Sequence, residues 1–113
     1  IWLIKMANNF KLKTKANIGV TTVGIYTVPA ATTSTIIGIT LANTSGGGIN
    51  VGIGITRATA DNINVLKSVP IPQGSSLEVM QGNKVVLEAT DTLTVTSDVN
   101  NSLDVAVSLL EMT

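Results

Sequence analysis

The sequence predicts an all-β fold, an antiparallel β-sandwich of jelly-roll-like form with about eight strands. Three observations lead there. Aliphatic residues recur with period two: Ile49, Val51, Ile53 and Ile55 alternate with Asn50, Gly52, Gly54 and Thr56, and Leu103, Val105, Val107 and Leu109 alternate with Asp104, Ala106 and Ser108. Successive strand side chains point to opposite faces, so each run places aliphatics on one side and small polar groups on the other. Turn-forming clusters then interrupt the chain roughly every 8–12 residues, the spacing of a sandwich or barrel. Finally, no window of a dozen residues carries a helical stripe. A closed β-barrel is the alternative arrangement of the same strands.

The elements follow in order. Residues 1–5 precede Met6-Ala7, a natural start, and are expected to be an upstream extension or an addition foreign to the natural chain. Residues 6–15 read as a basic arm or edge strand, and 16–113 as the sandwich domain. Strands are expected at 10–16, 19–28, 35–43, 49–57, 63–69, 76–80, 84–88 and 92–97, with a final long one at 103–111. Their β-branched Thr, Val and Ile suit a half-buried pleated surface. Val28-Pro29-Ala30 closes the second strand, and Asn43-Thr44-Ser45-Gly46-Gly47-Gly48 separates the third from the fourth. Proline cannot donate to a ladder, so Pro70-Ile71-Pro72-Gln73-Gly74 marks an edge or a crossover. Gln81-Gly82-Asn83, Thr90-Asp91 and the stretch Asp98 to Ser102 supply the remaining turns.

Composition narrows the chemistry. A chain of 113 residues is one domain, able to bury about two thirds of its surface. Cysteine and histidine are both absent. Disulfides, thiolate or imidazole metal sites and Ser/His or Cys/His nucleophiles are therefore excluded. Lys+Arg and Asp+Glu number 7 each, so the chain is formally neutral, which argues against a nucleic-acid partner. The longest apolar run at the start, Ile1 to Ile4, is too short for a membrane span or a signal-peptide core. Charged residues make up only 12% and aromatics 3%. A surface with so little charge suits a protein that hides part of itself in an assembly.

Chemistry without histidine falls to carboxylates. Glu88 and Asp91 flank one turn, and Asp98 and Asp104 flank another. Such pairs suit a glycosidase or a Ca²⁺ loop. The three aromatics, Trp2, Phe10 and Tyr26, all lie far upstream of these acids, and no segment carries a dedicated calcium pattern. The plainer reading is solvated turn acids that hydrogen-bond their own backbone. No catalytic residue, metal ligand or cofactor is assigned.

Charge is polarised along the chain. Residues 1–15 carry Lys5, Lys11, Lys13 and Lys15 without an acid, whereas residues 78–113 carry Lys84 against six acids. Lys11, Lys13 and Lys15 alternate, so a strand presents them on one face and Leu12, Thr14 and Ala16 on the other. Two readings stand: a ribbon that docks on acidic surface of a neighbouring copy or another protein, or an edge protected by lysines against sheet pairing. Gly48, Gly52 and Gly54 share a face with Asn50. Glycine inside a strand costs roughly 0.5–1 kcal/mol against alanine, so this bare strip is expected to meet either the opposite sheet or another subunit. Lys11, Lys13, Lys15, Gly48, Asn50, Gly52 and Gly54 are accordingly the candidate interface residues.

Longer phrases carry a resemblance. Ile25-Tyr26-Thr27-Val28-Pro29-Ala30, the run Thr35 to Asn43, the stretch Val69 to Val79, the stretch Lys84 to Ser97, and the ending Asp104 to Glu111 together resemble small all-β virion structural proteins of tailed bacteriophages, particularly those of marine bacteria. The resemblance spans about Met6 to Glu111. It implies a non-enzymatic virion component made in a host cytoplasm, most simply a capsid decoration (cement) protein. The expected partners are the major capsid protein or other virion proteins and further copies of itself, with a trimer favoured. A neck or tail accessory protein is the alternative, and a virion-displayed receptor- or glycan-binding module is the alternative of another class. Neither nucleic acid nor membrane is an expected partner.

Overall fold

The computed structural model describes residues 8–80 and 84–112. The expected extension at 1–5, Trp2 and the turn expected at Gln81-Gly82-Asn83 lie outside them. The described residues form nine strands: β1 (Asn8–Ile18), β2 (Val23–Thr27), β3 (Thr33–Asn43), β4 (Ile49–Thr56), β5 (Ile63–Ile71), β6 (Ser76–Glu78), β7 (Val85–Leu87), β8 (Thr92–Ser97) and β9 (Leu103–Met112). Two antiparallel sheets are packed as a sandwich. One has the order β1-β9-β3-β6, with β7 also on β3; the other has the order β2-β8-β4-β5. Successive strands mostly pass from one sheet to the other, the winding of a jelly roll. The sheets stay separate, so the barrel alternative is not adopted.

The period-two patterning builds the core. Ile49, Val51, Ile53 and Ile55 of β4 in one sheet and Leu103, Val105, Val107 and Leu109 of β9 in the other are buried in it, together with Ile36, Ile39 and Leu41 of β3, Leu93 and Val95 of β8, and flanking residues such as Ile18, Ile71 and Leu87. Burying each such side chain contributes about 1.5–3 kcal/mol. Turn chemistry fixes the ends. Buried Asn43 organises the glycine-rich loop: its Nδ2 donates to Gly47 O at 2.8 Å and Ile71 O at 2.9 Å, while its Oδ1 accepts from the Ser45 amide at 2.9 Å. Ser102 Oγ donates to Val99 O at 2.6 Å and shares a bond with Ser97 Oγ at 2.6 Å, closing the β8–β9 turn.

Most strand ends shift by one or two residues, the first strand lengthening to Asn8–Ile18, and two of the changes have a structural reason. The strand expected at 19–28 shortens to β2, because Gly19 and Ser97 are joined backbone to backbone at 3.0 Å and the chain bends there. The strand expected at 63–69 runs on through Pro70 to Ile71. Proline is tolerated there because β5 is the edge of its sheet.

Candidate interaction surface

β1 lies at the edge of the five-stranded sheet and pairs in unbroken register with β9 from Asn8–Met112 to Lys15–Val105. Residues opposite one another in an antiparallel pair point to the same side. Lys11, Lys13 and Lys15 stand opposite Leu109, Val107 and Val105, so the lysines face the inner side of the sandwich. Phe10, Leu12, Thr14 and Ala16 face outward.

At that inner margin the lysines find partners. Lys11 Nζ is 2.9 Å from Glu111 Oε1; Lys11 is half-exposed, whereas the Glu111 side chain is 7% exposed. Lys13 Nζ stands over the Tyr26 ring, 5.9 Å from its centroid, within cation–π range. The Tyr26 hydroxyl donates to Glu111 Oε2 at 2.5 Å and shares a hydrogen bond with Ser34 Oγ at 2.6 Å. One buried cluster thereby ties β1, β2, β3 and β9, and with them both sheets. Burial and the bond to Glu111 push the Tyr26 phenol up to about 12. The Tyr26 hydroxyl and Lys11, in that order, hold the Glu111 carboxyl below the usual carboxylate range.

The acid pairs are also committed to the fold. Arg57 Nε donates to Asp91 Oδ1 at 3.1 Å, and its terminal nitrogen pairs with Glu88. Asp91 Oδ2 in turn accepts the Glu88 amide at 2.9 Å, so the turn forms as expected. Asp91 is buried rather than solvated, which corrects the plainer reading for that turn acid, and Glu111 on β9 is buried as well. Asp98 accepts from the Asn50 amide at 2.9 Å and Asn50 Nδ2 at 3.2 Å. Asp104 accepts the Asn17 amide at 3.0 Å. Among the described residues, no three acids converge as a metal site. Sequence spacing did not reveal Arg57 and Tyr26 as the partners of Asp91 and Glu111, because those pairings span strands remote in the chain, and Ser34 joins Tyr26 from the next strand.

The glycine strip faces outward from the other sheet. Asn50, Gly52 and Gly54 line a polar trough of about 300 Å³ with Thr94, Thr96 and Lys67. The opposite sheet is therefore not what the strip meets. A Cβ at Gly54 would come within 3.0 Å of Thr94 Oγ1 and 3.1 Å of Ile63 O, so its own neighbours demand the glycine. At Gly52 the nearest atom would be Leu66 O at 3.4 Å, and at Gly48 Ile71 O at 3.9 Å, both ordinary contacts. The candidate residues thus fall on opposite sheets: the lysines at the inner margin of one, the strip on the outer face of the other.

The outer face of the five-stranded sheet escaped the sequence reading. Phe10 is 77% exposed, Leu12 65% and Val86 59%. The signal was present in the alternation of β1, whose lysines draw attention from the apolar residues between them. Tyr26 is buried, so of the three aromatics Phe10 alone among the described residues is open to a partner.

Comparison with known proteins adds the fold. No protein-family model and no curated protein matches the chain. Among solved structures it is similar to a chain from the disulfide-linked pili that form Bacillus endospore appendages. The TM-score is 0.58 at 14% identity, over 96% of this chain and 88% of that one. At that identity the likeness establishes a shared β-sandwich fold. The disulfide linkage belongs to the pilus protein, since this chain has no cysteine.

Proposed function

We propose that the chain is a non-enzymatic structural subunit that works in many copies, through contacts between copies and with the larger body they cover or build. One observation carries this reading: the acids best placed for chemistry are tied to structural partners, while large apolar side chains stand exposed on a sheet face. Exposed apolar patches of that kind mark association surfaces. Weak contacts of a small domain gain strength by repetition, as linked binding events do.

Capsid decoration is the particular form we favour, on the resemblance of the strand and turn phrases to small phage virion proteins. The second form, a filament subunit, is favoured by the fold shared with a pilus chain. In both, Lys15 and the strip of Gly48, Asn50, Gly52 and Gly54 are further contact regions, whereas Lys11 and Lys13 are engaged within the chain. Quantitative mass spectrometry of purified phage particles and of surface filaments is the test. Hundreds of copies per head, with heads that burst more readily once stripped, support decoration. A handful of copies places the chain at the neck or tail, and recovery in filaments alone selects the second form. Absence from every assembled fraction overturns the structural role.

A further inference from the structure

The outer face of the five-stranded sheet carries both halves of one contact. Its registers lay out rows of side chains across the strands. Phe10, Leu110, Thr35 and Val86 form the first, and Leu12, Ser108 and Gly38 the second. Thr14, Ala106 and Thr40 form the third. The first two rows make an apolar ridge at Phe10 and Leu12. Further along the same strands most side chains are small, and Thr14, Ala16, Thr40, Ala42 and Ala106, with Lys15 and Asp104 beside them, line a recess of about 310 Å³. A Cβ added at Gly38 would meet nothing within 4 Å, so the middle of the face is open as well.

Charge on this face is sparse and acidic: Glu78 stands opposite Thr40 and accepts from its hydroxyl, and Asp104 stands opposite Ala42. The lysines of β1 point to the other side, and Asp104, at the far end, accepts the Asn17 amide. Two such faces can meet through their uncharged side chains, with the Glu78 carboxylates lying at the β6 edge of the contact. A lipid surface is a poorer match, because interfacial binding wants cations beside the apolar residues.

We infer that this face pairs with the same face of a second copy about a two-fold axis, the Phe10–Leu12 ridge of each seated in the recess of the other. The axis lies between the faces and crosses the strands between Leu12 and Thr14. Ridge and recess lie about four residues apart on the same strands, roughly 13 Å, so the rotation exchanges them. Strand spacing and rise give a face of roughly 500 Å² per copy, or about 1,000 Å² for the pair, the lower end for a specific interface. This pairing rests on the reading of the chain as a self-associating subunit and makes its closed unit a dimer instead of the expected trimer.

Sedimentation equilibrium of the full chain, up to roughly 200 µM, tests it at the weak affinities such an area supports. The expected mass rises with concentration to two copies. Ala106→Glu in the recess and Gly38→Lys in the open centre should each weaken pairing at least about tenfold while keeping the wild-type circular dichroism spectrum. If one variant fails to fold, the other decides. A single-copy mass throughout, a three-copy mass, or a dimer indifferent to the folded variants overturns the pairing. A monomer that is nonetheless found in hundreds of copies on particles overturns the pairing alone and leaves the structural role standing.

Discussion

Tyr26 joins the two sheets through a single hydroxyl, and its ionisation reports on that junction. It is the chain's one tyrosine, so ultraviolet absorbance follows it directly. The folded chain holds the phenolic proton more tightly than the unfolded chain. Its contribution to stability is therefore whole below pH about 10 and is lost as pH rises toward about 12. Glu111 has the opposite sense: its depressed carboxyl stabilises the fold above the ordinary value of about 4.3, and that contribution fades as pH falls through the lower folded value. The tyrosinate absorbance of the folded chain should have its midpoint near 12, and Glu111→Gln should bring it toward 10. A wild-type midpoint at about 10 would mean that the buried bond is absent. Thr90 offers a second test. It is β-branched yet sits at φ 70°, where side chains are strained. Thr90→Asn should raise stability by about 1 kcal/mol in urea titration, whereas an unchanged midpoint would mean the turn is unstrained. The turn role of Asp91 was legible from its place after Thr90. Its partner Arg57 was not, because ion pairing across strands leaves no trace in local spacing.

Strands were legible wherever one face is buried. Every aliphatic of the alternating runs in β4 and β9 is buried, since a slip of one residue would turn the whole set to solvent. At the edge that constraint weakens. Alternation in β1 separated two kinds of residue but could not say which kind faced inward. The lysines turn inward because buried Glu111 and the Tyr26 ring lie on that side. Inward-pointing charge is also a known protection of edge strands. Its exposed position makes β1 the strand expected to open first. Its amides should exchange with deuterium before those of β3 and β9, and Lys11→Met should hasten them; exchange of β1 in step with β9 would deny that order. In β4 the two glycines should respond differently. Gly54→Ala crowds Ile63 O and Thr94 Oγ1 and should cost about 1–2 kcal/mol, while Gly52→Ala should stay within about 0.5 kcal/mol in thermal unfolding. Equal effects would mean that neither position is set by its neighbours.

At the scale of the molecule, the basic and acidic ends of the chain meet within a single copy. β1 and β9 are neighbours, and Lys11 and Glu111 neutralise each other there. The sandwich was legible from strand number and turn spacing. The neighbour relations were not, because patterning says which face a residue takes but not which strand lies beside it. That topology changes how copies are expected to meet. A mainly apolar contact edged by Glu78 should hold or tighten its dissociation constant between low salt and 1 M NaCl, whereas basic-on-acidic docking should weaken steeply. Sedimentation across that salt range separates the two. The most direct test of the whole account is electron cryo-microscopy of the native assembly that carries the chain. We expect copies at regularly repeated positions, meeting through the face that bears Phe10 and Leu12. Isolated single copies, with that face turned to solvent and touching nothing, would contradict it.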